Sequence, residues 1–163
     1  MSEQTYEGCA VVDCVGALGS TNGKTAHGLI RRSRRYRLAA ILEPELAGQD
    51  AGQVLDGRPK GIPIVADLEQ ARAQAEKAGP PLSHYIIGLA PDGGRADEAL
   101  RHRVRVALES GLHVVSGLHD FFSEDPDMRA LAPNVTLNAE RLAIMVAMTP
   151  AQRPQPPKSR SAV

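Results

Sequence analysis

Five short apolar runs punctuate the chain, at residues 10–15, 37–42, 62–66, 84–90 and 112–116. Most are bounded by Gly or Pro, as strands buried on both faces of a parallel sheet should be. Helical segments lie between them. One covers residues 25–35. A second, residues 67–78, opens on Asp67 as its N-cap and closes before Gly79-Pro80-Pro81. A third, residues 96–110, carries Leu100, Val104 and Leu108 on one stripe, with Arg101, Arg103 and Arg105 elsewhere, and stops at Gly111. Strand and helix in alternation, with short connections, predict an α/β fold. The expected architecture is a Rossmann-like, doubly wound, mainly parallel open sheet of five to six strands in three layers.

Residues 47–63 are less regular. Gly48, Gly52, Gly57 and Gly61 with Pro59 read as a long loop holding one helical turn near residues 51–55, and such a loop is often functional. A short helix is expected after Asp125-Pro126, then a weak strand at 135–137 and an apolar helix at 139–148. Residues 149–163 contain four prolines and almost no large apolar residue, so they are expected to be disordered. The expected division is a Rossmann-like domain over 1–131, an extension over 132–149 and a Pro-rich tail over 150–163.

Composition narrows the function. The chain has 163 residues, enough for one domain with a sizeable core. Nineteen basic and nineteen acidic residues leave a net charge of zero, which argues against nucleic acid as a partner. Two Phe, three Tyr and no Trp make base-stacking platforms improbable. Cys9 and Cys14, with no signal peptide in evidence, read as reduced thiols of a cytoplasmic protein. No apolar run approaches a membrane span. Five scattered histidines show no metal spacing, so no metal is expected. The run 31–37, with five arginines in seven residues, reads first as a solvated helix C-terminus; an extra nucleotide phosphate or a partner subunit is the alternative.

The candidate chemistry starts after the first strand. Gly16, Gly19 and Gly23 form a glycine-rich turn leading into a helix, which aims backbone N–H groups at one point, a ready site for an anion. Three readings stand. Gly19 to Thr25 resembles a Walker A loop one residue short, and Thr21-Asn22-Gly23-Lys24-Thr25 is similar to the ATP loop of Mur ligases. As a relaxed Rossmann fingerprint, the turn pairs with Glu43, twenty residues beyond Gly23 at the end of the second strand, where an acid accepts hydrogen bonds from a ribose diol. The third reading is a tight strand–helix turn with Lys24 in solvent. The candidate cofactor-binding residues are Gly16, Gly19, Ser20, Asn22, Gly23, Lys24, Thr25 and Glu43. An NTPase also needs a Mg²⁺-binding carboxylate; Asp92 is the candidate, and its neighbours Pro91 and Gly93 mark it as a turn residue.

Two further loops belong at the carboxyl ends of strands. Gly93 and Gly94 would allow close approach of a ligand, and Arg95 would pair with a phosphate or carboxylate; an ordinary surface turn is the alternative. Ser116-Gly117-Leu118-His119-Asp120 follows the fifth strand. His119 is a candidate acid, base or substrate contact that Asp120 would orient, against a capping loop with an incidental histidine. His27, beside the glycine turn, is equally open.

Five strings carry a resemblance: Gly28-Leu29-Ile30-Arg31-Arg32-Ser33, Ala47-Gly48-Gln49-Asp50-Ala51-Gly52, Gly61-Ile62-Pro63-Ile64-Val65, Ile87-Gly88-Leu89-Ala90-Pro91-Asp92-Gly93-Gly94 and Val114-Val115-Ser116-Gly117-Leu118-His119. Together they resemble the N-terminal Rossmann-like domain of the domain-of-unknown-function 1611 family, over roughly residues 11–131. The resemblance implies a second domain with a P-loop and, in some members, N-acylation of D-amino acids, notably D-glutamate, from an acyl-CoA donor. No second glycine–lysine loop follows Leu131, so the expectation is a stand-alone homologue, a truncation or half of a split protein. The leading expectation is a domain binding a nucleotide, an acyl-CoA or another small anion, catalytic only with a P-loop-domain partner chain, and homo-oligomeric. The alternatives are a non-catalytic interaction module and an ATP-binding enzyme acting through residues 19–25.

Overall fold

The structure is a computed structural model that describes residues 5–119, 122–131 and 137–138. Its strands are β1 (Gly8–Asp13), β2 (Tyr36–Leu42), β3 (Ile64–Val65), β4 (Leu82–Ile87), β5 (His113–Val115) and β6 (Leu137–Asn138); its helices are α1 (Lys24–Arg32), α2 (Ala51–Asp56), α3 (Leu68–Ala78), α4 (Glu98–Glu109) and α5 (Pro126–Leu131). The six strands form one sheet in the order β3-β2-β1-β4-β5-β6, and every pairing is parallel. This is the doubly wound Rossmann order, in which the chain reverses direction beside β1. Because parallel crossovers are right-handed, the reversal places α1 and α2 on one face and α3 and α4 on the other.

β1 is the centre of the core, and Cys9 through Asp13 are buried. Ala26, Leu29 and Ile30 of α1, Ala71 and Ala75 of α3, and Leu100, Val104 and Leu108 of α4 close on the sheet from its two sides. The helices end where local chemistry stops them. Asp67 and Asp97 cap α3 and α4 by accepting from the Gln70 and Leu100 N–H groups, each at 2.8 Å. The expected helix over 25–35 stops at Arg32, because Ser33 turns extended. The expected strand over 62–66 shrinks to two residues. Pro63 has no N–H for a ladder and instead offers its carbonyl to Ile41 at 2.9 Å.

The irregular stretch 47–63 is organised by one side chain that sequence reading passed over. The Asp50 carboxylate accepts from the N–H groups of Gln53, Lys60, Gly61 and Ile62 at 2.9, 2.9, 2.7 and 3.2 Å. Burial works against this carboxylate, and the backbone donors outweigh it, so its pKa lies below the ordinary value. The arginine run is tied down by acids: Arg31 grips Asp56 at 2.7 Å and Arg35 meets Glu7. The helix expected at 139–148 and the tail at 149–163 lie outside the described residues. Among the described residues no helix is long and apolar enough to cross a membrane, and no group of three His, Cys, Asp or Glu side chains is placed to hold a metal.

At the amino end of the sheet, His84 and His113 are register partners with rings stacked at 4.9 Å, and Tyr36 flanks His84 at 4.9 Å. Burial, then the neighbouring His113, hold the His84 pKa below its ordinary 6.5. The folded state therefore resists a proton that the unfolded chain accepts, so this contribution is complete above pH 6.5 and is lost as pH falls below it. Urea midpoints across that range should fall toward acid in the native chain and fall less in His84→Gln. A second expectation concerns Gly88, where a Cβ would collide with Val12 and stand 2.9 Å from the Ala26 Cβ. Gly88→Ala should cost about 1–3 kcal/mol in urea unfolding. Gly19→Ala, where a Cβ meets nothing within 4 Å, should change stability by less than about 0.5 kcal/mol.

Candidate functional site

The carboxyl ends of β1, β2, β4 and β5 gather the loops in which a parallel sheet places its ligand crevice. At their centre Asp13, the last residue of β1, has no exposed surface. Its carboxylate accepts from Arg103 Nε of α4 at 2.8 Å, from Arg103 Nη2 at 3.4 Å, from the Tyr85 hydroxyl of β4 and from the Val15 N–H at 3.1 Å. Burial, followed by the adjacent Asp13 charge, pushes the Tyr85 hydroxyl well above its usual range, so it remains a protonated donor. Arg103 and Tyr85 stood outside the sequence-derived site. The available signal was Asp13 itself, an acid inside an apolar strand that has to find a donor.

Glu43 follows β2 and is 3% exposed. Its Oε2 accepts the Gly16 N–H at 2.7 Å, while its buried Oε1 has no partner among the described residues. Gly16 turns with φ +71°, which favours glycine. The expected acid and the first glycine of the fingerprint are thus brought together. The rest of the turn bonds largely to itself. The N–H groups of Ala17, Ser20 and Gly23 go to the carbonyls of Cys14, Ala17 and Ser20, and the Asn22 N–H goes to Ser20 Oγ. Gly23 is needed because a Cβ there would stand 2.5 Å from the Ala17 carbonyl oxygen. His27 Nε2 bonds the Leu18 carbonyl at 2.6 Å, a structural role. Gly19, Ser20 and Lys24 are exposed, and Thr25 is half-buried. Cys14, between the two acids, is raised to about 12 by burial and then by Asp13 and Glu43, which leaves an unreactive thiol.

The loops after β4 and β5 are also joined. The His119 N–H donates to the Gly94 carbonyl at 2.9 Å, and the His119 ring occupies the space where a Gly94 side chain would be. Gly93 and Gly94 both have positive φ, His119 and Arg95 are exposed, and Asp92 sits in a short 3-10 turn. Ser116 is buried, and its hydroxyl accepts the Leu118 N–H at 3.2 Å. Asp120 lies outside the described residues.

Beside this edge a cleft of about 380 Å³ opens between the start of α3 and the middle of α4. Val15, Leu42, Pro44, Leu68 and Val106 line it, together with Ala66, Asp67, Tyr85, His102 and Arg103. Val15 and Pro44 of its wall are chain neighbours of Gly16 and Glu43, which do not line it.

Residues 44–139 match DUF1611_N, a Rossmann-like domain of unknown function. The chain belongs to that family. The DUF1611_N match begins at Pro44, so the glycine turn and Glu43 precede it. A solved DUF1611 family protein from Anabaena variabilis is 28% identical, with a TM-score of 0.67 over 78% of this chain and 35% of that one. A D-glutamate N-acetyltransferase from Tritonibacter scottomollicae is 34% identical over 65 residues, which are 40% of this chain and 18% of the relative. This DUF1611_N chain therefore spans well under half the length of the proteins it matches.

Removing one partner of the buried pair is the sharpest test of this geometry. Arg103→Met should destabilise the fold by about 3–5 kcal/mol, because it strands a buried carboxylate. The double replacement Asp13→Leu with Arg103→Met should cost less than the sum of the two single changes, measured as urea unfolding in a double-mutant cycle.

Proposed function

We propose that this chain is a ligand-binding Rossmann-like domain that holds a nucleotide- or acyl-CoA-type ligand across the carboxyl edge of its sheet. The observation that carries this reading is Glu43, whose buried Oε1 lacks a partner among the described residues while Oε2 is fixed by the Gly16 N–H. A buried carboxylate oxygen without a donor is costly, and a hydroxyl from a bound ribose would relieve it. Gly94, Arg95 and His119 would face the ligand from the other half of the sheet. The turn around residues 19–25 contributes less than a P-loop would, since the Ser20, Asn22 and Gly23 N–H groups are already bonded within it. That disfavours the ATP-hydrolysing reading through Lys24.

The acyl-transfer activity named for the Tritonibacter relative would come to this chain only with more protein. The shared stretch is 18% of that relative, so N-acylation of D-glutamate or another D-amino acid would require a further domain or a partner chain carrying a P-loop. A non-catalytic interaction module is the second reading, favoured by the open apolar cleft.

Calorimetry of the full chain with acetyl-CoA, ATP, NAD and D-glutamate tests the proposal. Saturable heat is expected with at least one nucleotide-bearing ligand, and Glu43→Gln should weaken it about tenfold, the worth of one charged hydrogen bond. A folded sample giving no heat with any of the four would overturn the reading. A stable oligomer by light scattering in that same sample would favour the interaction module.

A further inference from the structure

The α3/α4 cleft has a chemistry that the loop site does not use. We propose that it binds a small amphiphilic anion, an apolar body carrying one carboxylate or phosphate that Arg103 receives. This inference is independent of the nucleotide reading.

The apolar lining does not come from one helix. Val15 leaves β1, Leu42 and Pro44 close β2, Leu68 opens α3 and Val106 stands on α4. Leu100, Val104, Ala107 and Leu108 of α4 are all buried, yet Val106 is 37% exposed. It stands at the cleft instead of in the core. The volume, about 380 Å³, falls in the range of about 300–1,000 Å³ typical of small-molecule sites.

Charge selects the occupant. A guanidinium has five N–H donors in a rigid plane. Asp13 engages Nε and Nη2 of Arg103, so the guanidinium is held in place before any ligand arrives. Asp13 also accepts from Tyr85 and Val15, and its negative charge is thereby shared among three residues. Among the described residues Nη1 of Arg103 has no partner, and Arg103 lines the cleft with its side chain 25% exposed, which leaves a donor for an acceptor bound there. Of the lining residues only Asp67 is another acid. Its oxygens are turned to the first turn of α3, accepting from the Gln70 N–H at 2.8 Å and the Gln70 side-chain amide at 3.4 Å. His102 adds an imidazole to the lining. A cationic guest would meet Arg103 unfavourably, and a purely apolar guest would strip water from its donors without replacing it.

The test is an NMR titration of the full ¹⁵N-labelled chain with octanoate, octyl phosphate and octylammonium, which share one apolar body and differ in head group. Octanoate or octyl phosphate should give saturable amide shifts at Val15, Leu68, Arg103 and Val106. Octylammonium should bind at least about tenfold more weakly, as expected for a reversed charge. The tighter of the two anions identifies the head group as carboxylate or phosphate. Val106→Asp sets a carboxylate at the exposed rim without touching the Asp13 pair, and should weaken both anions about tenfold while the unfolding midpoint holds. Arg103→Lys keeps the charge but loses the planar fork, and should weaken them as well; if that variant fails to fold, Val106→Asp carries the test. Shifts of equal affinity with octylammonium, shifts away from these residues, no shifts, or native-like binding by Val106→Asp would each overturn the proposal. Octanoate binding without nucleotide or CoA binding would leave this cleft standing and remove the function proposed above; the opposite pattern would do the reverse.

Discussion

A carboxylate with no exposed surface sits at the end of the central strand, and much of the architecture exists to make it tolerable. An ionised carboxylate out of water costs several kcal/mol unless it is paired and hydrogen-bonded. The donors to Asp13 come from β4, from α4 and from the backbone leaving β1. The two sheet neighbours and the helix beyond them must therefore be in register before the charge is satisfied. A slip of β4 by one residue would turn Tyr85 to the opposite face and leave Asp13 short of a donor. The pair with Arg103 thus selects one arrangement, a role for which buried ion pairs are better suited than for raw stability.

The exit from β1 is governed by two acids on different strands. Asp13 takes the Val15 N–H, and Glu43 takes the next one, at Gly16. Successive backbone donors are thus claimed by successive strands, and the turn is drawn down onto the sheet edge. The pinned turn then supplies most of its own hydrogen bonds, and Gly23 packs against the Ala17 carbonyl with no room for a side chain. Among the described residues, one buried oxygen of Glu43 is left without a donor beside this self-bonded turn.

Much of this was legible in the chain. The apolar runs between Gly and Pro located β1, β2, β4 and β5, the Asp67 cap located α3, and the Leu100–Val104–Leu108 stripe ending at Gly111 located α4, because burial and orphan N–H groups leave direct marks on sequence. The resemblance carried by five strings placed the chain in the family that residues 44–139 match. The place of Glu43 at the end of β2, beside the glycine turn, was legible through its distance from the glycines. Arg103 was not, because periodicity sorts a helix into buried and exposed faces and assigns an arginine off the apolar stripe to solvent. Its recruitment depends on Asp13, ninety residues away, and no local pattern records that separation. Asp50 was missed for a similar reason, since its partners at 60–62 become neighbours only after the loop closes.

The seam between β1 and β4, where the chain reverses direction, is closed differently on its two faces. On the α1 side, Gly88 brings β4 so close that the Ala26 N–H bonds the Gly88 carbonyl at 3.0 Å and the Ala90 N–H bonds the Asn22 carbonyl at 2.7 Å. Main chain is stitched to main chain there, without a side chain in between. On the α3/α4 side the same seam is spanned by the Arg103 side chain and bordered by open space. Beyond their shared ladder, β1 and β4 are therefore joined by main chain on the α1 face and by one charged side chain on the α4 face.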